Sequence, residues 1–468
     1  MDRRRTAILA IGVVLLAVVA ATVTYLVWPG STSPGPSRSY SGPALCPTSG
    51  PNGTVGNWTT YHGGPTRSGY LAAPAISTAA PTWTAPIPLN GQVYAEPLVC
   101  GNAVFVATEE DSVYAINATT GAILWQTNLG TPVPGSALPC GDINPSGITG
   151  TPAIDTATGT LYVVAFLSSV HHMLYGLSVV NGSIRSQVPI DPPGDSPSTE
   201  QQRGALAIAN GYVYVPFGGL FGDCGQYHGW VVGAPLNGSA DLISYMVPTT
   251  REAAIWGVAG EAVSPNGSLY VATGNGASNS VYDFGDSVIE LSPTLHEIDS
   301  FAPANWVELN EHDQDLGSVA PTLLPNGDVF QIGKEGVGYL LDGDHLGGIN
   351  GQLGEEPICA GAYGGTAQVG LSVFVPCTNG LFDVAIGPTN VSVTWSSPNF
   401  DAGTPVVTGD IVWAVNISSS VLMGFSVAHG TPMYAFPLAG DDHFISPTAA
   451  PGRLFVAGGT ELYSFTVD

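Results

Sequence analysis

Four short β-rich runs fall within about forty residues early in this chain, and that spacing constrains the fold more than any other feature. The runs are Val93-Tyr-Ala-Glu-Pro-Leu-Val-Cys100, Ala103-Val-Phe-Val-Ala-Thr108, Ser112-Val-Tyr-Ala-Ile-Asn117 and Ala122-Ile-Leu-Trp125. Worn copies follow, most visible in their second runs: Leu161-Tyr-Val-Val-Ala165, Val213-Tyr-Val-Pro216, Leu269-Tyr-Val-Ala272, Val373-Phe-Val-Pro376 and Leu454-Phe-Val-Ala457. Apolar–aromatic–apolar runs after a tight turn read as strands buried on both faces. Four strands per unit at this period make a β-propeller blade. Gly (61) and Pro (38) supply the many turns such a fold needs.

Unit starts near Val93, Gly147, Gly204, Val258, Leu316, Gly361, Ala402 and Ile445 predict eight blades over residues 56–468. The last unit ends after three strands. The segment Pro81–Leu89, ahead of the first unit, is expected to supply the fourth and close the ring. The expected fold is all-β, an eight-bladed propeller of four-stranded blades. The excursions 190–203 and 303–316 are long inter-blade loops, where function usually sits.

Ahead of the propeller, Arg3–Arg5 precede an uncharged apolar run long enough to span a bilayer. We read 1–6 as a cytoplasmic tip, 7–28 as a transmembrane signal anchor and 29–55 as a Pro/Ser/Gly-rich linker. A cleaved signal peptide is the rival reading, and both export the bulk of the chain. The expectation is a single-pass cell-membrane protein whose partners are the membrane and a protein or small molecule at the channel end. Eight Asn-x-Ser/Thr sequons, at Asn52, Asn57, Asn117, Asn181, Asn237, Asn266, Asn390 and Asn416, are candidate glycan sites.

Apart from Asp2 and Arg3–Arg5, 35 acids and 7 bases remain of the chain's 36 and 10. That excess argues against nucleic acid as a partner. Lys334 is the only lysine. Acid excess with sparse total charge fits an acidic habitat. The six cysteines of an exported chain imply three disulfides, with the connectivity open. Cys359–Cys377 is the first choice, as a pair flanking two strands of one blade. Cys140–Cys224 and Cys46–Cys100 follow by elimination.

The phrase Ala115-Ile-Asn-Ala-Thr-Thr-Gly-Ala-Ile-Leu-Trp125 resembles the repeat of the pyrroloquinoline-quinone (PQQ) propellers, a quinoprotein alcohol dehydrogenase-like superfamily. In that family the Trp staples neighbouring blades. The repeat serves both dehydrogenases that hold PQQ and scaffolds that bind no cofactor. The likeness sharpens over Ile255-Trp-Gly257, Leu269–Gly276, Gly285-Asp-Ser287 and Gly333–Asp342. It implies that Trp256 stacks under PQQ, that Asn275 ligates Ca²⁺ and that Lys334 stands beside the quinone oxygens. Strings such as Gly222-Asp-Cys-Gly-Gln-Tyr-His-Gly-Trp230 and Asp313-Gln-Asp-Leu-Gly-Ser318 resemble a less characterised exported branch with no assigned substrate.

The chain also departs from the dehydrogenases. The position of their catalytic carboxylate reads Ser292, and serine is a poor base. Cys224 falls nearest the calcium glutamate, leaving neighbouring Asp223 as the only carboxylate there. No Cys-Cys pair occurs. Asp313 and Asp315, two apart, would face one way in an extended segment. They are candidates for the missing base or for Ca²⁺, or form a solvated loop. Asp223, Tyr227 and His228 could line the channel mouth or form a loop pinned at Cys224. His171 and His172, adjacent on a strand, point to opposite faces and are not expected to share an ion.

Three functions follow as expectations. The first is a ligand-binding or protein-interaction scaffold using Trp256, Asn275 and Lys334. The second is a PQQ/Ca²⁺-dependent alcohol or sugar dehydrogenase with Asp313 or Asp315 as base. The third is a structural cell-envelope glycoprotein.

Overall fold

The computed structural model describes Cys46 and residues 57–239, 241–440 and 443–468. The tip, the proposed anchor, the linker apart from Cys46, and the Asn52 sequon lie outside the described residues. No helix among the described residues is long and apolar enough to cross a membrane.

The described strands form eight sheets, each built on four strands. Blades 1 to 7 comprise residues 98–128, 153–189, 207–246, 262–302, 322–357, 367–396 and 406–437. Blade 8 takes three strands from 448–467. Its outer edge comes from the N-terminal side: Ala79–Pro81 pairs antiparallel with Phe465–Val467, and Ile87–Pro88 pairs with Glu461 and Leu462. The inner strand of blade 8 lies against that of blade 1, and the ring is closed. One six-residue helix, Trp306–Glu311, interrupts the β pattern within the 303–316 excursion.

The second strands are buried on both faces, as their sequence demands. Val104, Phe105 and Val106, like Leu161 and Val163, are almost wholly removed from water. Each such side chain contributes about 1.5–3 kcal/mol of burial. Trp125 staples blade 1 to blade 2, its Nε1 donating to Val179 O at 3.2 Å. Trp395 repeats the device from blade 6 to blade 7, donating to Val427 O at 2.9 Å. The indoles need a bare backbone beneath them. Gly182 and Gly430 supply it at φ +68° and +63°, and a Cβ on Gly182 would meet Trp125 Cε3 at 2.6 Å.

All three expected disulfides are present: Cys46–Cys100, Cys140–Cys224 and Cys359–Cys377. The reason given for the last needs correcting. Cys359 lies in the connector leaving blade 5, and Cys377 ends the second strand of blade 6, so the bridge joins two blades. Four sequon asparagines have local structural work. The Oδ1 atoms of Asn117, Asn181, Asn237 and Asn266 accept backbone N–H groups two residues on, so the Asn-x-Ser/Thr spacing there closes Asx turns. His171 is exposed and His172 buried, as adjacent strand residues should be, and the Nδ1 atoms of both reach one carboxylate, at 2.6 and 3.1 Å from Asp191.

Sequence periodicity gave no hint of residues 57–71. Asn57–Trp58 pairs with the inner strand of blade 1, and Tyr70–Leu71 runs parallel to that of blade 7. Between them, Thr59 O, Pro65 O and Ser68 O accept from Ile154 N, Val263 N and Gln368 N of blades 2, 4 and 6. The segment therefore plugs the channel with backbone hydrogen bonds to most of the inner strands. Arg67 locks it, donating to Thr60 Oγ1, Tyr61 O, Leu206 O and Glu261 O at 2.6–3.2 Å. The Glu96 carboxylate accepts from Trp58 Nε1 and His62 N, both at 2.8 Å.

Glu96 and Glu261 are buried around this plug. Burial pushes the Glu96 carboxyl well above its ordinary value and Glu261 up to about 8, with Arg67 opposing both shifts. A raised folded value means the folded state holds protons that the unfolded chain releases. The stabilisation is full below about 4.5 and is lost as pH rises through the folded value. Urea unfolding midpoints are therefore expected to fall from about pH 5 to about pH 8. Glu261→Gln should flatten that slope, and a midpoint that rises with pH would refute the assignment.

Candidate functional site

The connectors between blades and the turns between second and third strands emerge at one end of the ring. Together they wall a cavity of about 870 Å³. That lies within the usual range for small-molecule sites, roughly 300–1,000 Å³. Beneath it is a water-sized space of about 10 Å³, lined by Tyr61 of the plug and by Arg203, His443 and Phe444, which also wall the cavity. The plug thus provides the floor.

Lys334 sits in the tight turn between the second and third strands of blade 5. Its Nζ lies 2.7 Å from both Asp313 Oδ1 and Asp315 Oδ2. Asp315 Oδ1 accepts from Asn275 N at 2.8 Å, and Asp313 Oδ1 from Asn275 Nδ2 at 3.1 Å. The Lys334 ammonium stands 5.5 Å from the centroid of the Trp256 ring. Gly274 permits this closeness, since a Cβ there would meet Asp315 Oδ1 at 2.8 Å and Trp256 Nε1 at 3.1 Å.

Charge in the cluster is set by competition. Burial alone would lower the Lys334 value, but Asp315 and Asp313 outweigh it and hold the ammonium above its ordinary range. Burial raises the Asp315 carboxyl, and the Lys334 charge opposes the rise. Burial also raises the carboxyl of Glu252, another wall residue, against the charge of Arg251.

The six candidate residues for cofactor, metal or base line this one cavity: Trp256, Asn275, Lys334, Asp223, Asp313 and Asp315. Their surroundings differ from expectation in four ways. Asp313 and Asp315 are not in an extended segment, because Asp313 has φ +55° and a turn carries both acids to Lys334. Asp223 faces Tyr227, whose OH donates to it at 2.6 Å. His228 is drawn to Asp195, at 2.7 Å, away from the cavity wall. Ser292 lies in the turn between the third and fourth strands of blade 4, at the opposite end of the blade. The serine there is therefore no loss at the site, where Asp313 and Asp315 of the 303–316 excursion stand among six wall carboxylates.

Sequence reasoning missed Arg203 and Phe444. The Arg203 guanidinium lies 5.9 Å from the Trp256 ring centroid and 5.7 Å from that of Phe444. The available signals were position and rarity. Arg203 ends the 190–203 excursion in a base-poor chain, and Phe444 immediately precedes the last blade start. Asp223, Glu252, Asp313 and Phe444 hold positive φ on the cavity wall. Non-glycine residues in that region store strain, and they cluster at functional sites.

A family model described as outer membrane protein assembly factor BamB, and built on the PQQ-type repeat, matches residues 26–219. Over that part of its length the chain is similar to the PQQ-type repeat propellers. Among solved structures it is similar to a europium-containing methanol dehydrogenase, at 14% identity, covering 88% of this chain and 98% of that one, TM-score 0.68. It is also similar to the quinohemoprotein alcohol dehydrogenase ADHIIG of Pseudomonas putida HK5, at 13%, covering 88% and 80%, TM-score 0.65. The third is BamB of Moraxella catarrhalis, at 13%, covering 83% and 98%, TM-score 0.56. At these identities the likeness is one of fold. No curated protein matches the sequence.

The wall fits PQQ and calcium only in part. Trp256 offers a ring platform, and Asn275 Oδ1 is a buried acceptor without a partner. The calcium cage is not matched. Cys224 is in a disulfide, Asp223 is engaged by Tyr227, and no three His, Cys, Asp or Glu side chains among the described residues are grouped to hold a metal. Lys334 is already shared by two acids.

Because Lys334 and Asp315 are both largely buried, removing one partner strands the other. Lys334→Met is expected to cost about 3 kcal/mol in urea unfolding, and adding Asp315→Leu should recover part of it. An unchanged unfolding free energy in Lys334→Met would show that the cluster is solvated.

Proposed function

We propose that this protein is an exported, membrane-anchored binding scaffold whose channel-end cavity takes a small organic ligand. The observation that carries the reading is one floored cavity of about 870 Å³ holding an aromatic platform and an ordered Asp–Lys–Asp cluster. A purely structural ring has no need of partly buried, paired charge at one mouth. The uncharged apolar run 7–28 behind Arg3–Arg5, read from the sequence as an anchor, supports the placement at the membrane with the propeller outside. The fold likeness to BamB supports a scaffold role.

A second reading is oxidation of an alcohol or sugar with bound PQQ. The unpartnered Asn275 Oδ1 and the convergence of Trp256, Lys334 and Asp315 favour it. The missing calcium donors weigh against it.

Titration of the purified propeller separates the two. Trp fluorescence should respond to members of a polar small-molecule library, and Trp256→Ala should weaken the hits at least about tenfold. PQQ with Ca²⁺ should give neither saturable binding nor dye-linked alcohol oxidation. Turnover with PQQ would establish the second reading, and a library without hits would refute the first.

A further inference from the structure

This inference rests on the binding reading and names the ligand class. The wall holds six carboxylates: Asp142, Asp223, Glu252, Asp313, Asp315 and Asp401. Each already faces a partner. Asp313 and Asp315 share Lys334, Asp223 takes the Tyr227 hydroxyl, and Glu252 lies 2.8 Å from Arg251. Asp142 lies 3.6 Å from His443 Nε2, and Asp401 accepts from Ser418 Oγ at 3.5 Å.

Arg203 is different. Its guanidinium lies near the rings of Trp256 and Phe444, and its one side-chain hydrogen bond runs from Nη2 to the neutral Gln201 Oε1 at 2.9 Å. No carboxylate among the described residues forms a direct ion pair with it, and the charges of Asp142, Glu109 and Asp223 act on it only from a distance. A guanidinium drawn out of water beside aromatic rings, with donors to spare, is matched by an incoming planar anion. The rest of the wall is rich in acceptors and carries an aromatic face, which calls for hydroxyl donors on an otherwise apolar ring.

We propose that the cavity is built for a small hydroxylated carboxylate, a sugar acid in chemical class, with Arg203 taking the carboxylate and the acidic wall taking hydroxyls. The carboxylate forms two parallel N–H···O bonds to the guanidinium, and the sugar ring lies against Trp256.

The test is calorimetric titration of the propeller with D-glucuronate and, separately, with D-glucose, which keeps the hydroxyls and lacks the carboxylate. Glucuronate is expected to bind at least about tenfold tighter than glucose. Arg203→Met should bring that ratio close to one, and Arg203→Lys should restore part of it. Thermal midpoints of both variants confirm folding. Equal affinity for the two sugars in the parent protein would overturn the sugar-acid assignment and leave cavity binding standing. A preference that survives in both Arg203 variants would overturn it too. If Trp256→Ala alters neither titration, the sugars bind elsewhere and both readings fall. Absence of heat with either sugar also overturns the assignment, and the fluorescence screen then decides the binding reading alone.

Discussion

The antiparallel ladder between Ala79–Pro81 and Phe465–Val467 is the constraint on which everything else hangs. A linear array of blades leaves its terminal sheets with uncovered edges and faces. Here residues from near the start of the propeller complete the sheet made by its end, so no blade is terminal. The closed ring creates an axis, and the axis gives the inter-blade connectors a common mouth.

The same N-terminal stretch does a second job. Residues 57–71 cross the axis before 79–88 reach the edge of blade 8. The backbone of this plug supplies the inner strands with donors and acceptors, and Arg67 ties Thr60 Oγ1 and Tyr61 O of the plug to Leu206 O and Glu261 O at the starts of blades 3 and 4. Burying Glu96 and Glu261 beside it costs solvation, which their raised carboxyl values express. A chain with few bases keeps one of them, Arg67, almost wholly buried at the centre of its ring. The channel thereby becomes a cup, with Tyr61 beneath and the cavity above.

Inside the cup, charge is arranged in local pairs. Lys334 is shared between two acids, so it is less available to an incoming anion than its rarity in the sequence implied. Among the described residues Arg203 forms no ion pair with a carboxylate, and only the more distant charges of Asp142, Glu109 and Asp223 act on it. The Cys140–Cys224 bridge also shapes the wall, because Asp142 lies two residues from one cysteine and Gly222 and Asp223 adjoin the other. Where the resemblance placed a calcium-binding carboxylate, this chain has a covalent strut.

The sequence by itself determined the blade and its copies. Alternation, turn residues and the apolar second strands are local properties, and a strand buried on both faces cannot hide its composition. It also marked Trp125 as a staple and named Trp256, Asn275, Lys334, Asp313 and Asp315, because rare or motif-bound residues stand out along a chain. It could not show that Ser292 belongs to the far end of its blade, that Asp223 turns to Tyr227, or that Cys359 bridges two blades. Only the tertiary structure decided those points. It also decided the plug at 57–71 and the place of Arg203, because both depend on contacts between residues from different blades. The physical reason is that hydrogen bonding and charge pairing across a ring depend on distance in space, whereas periodicity records only neighbours along the strand.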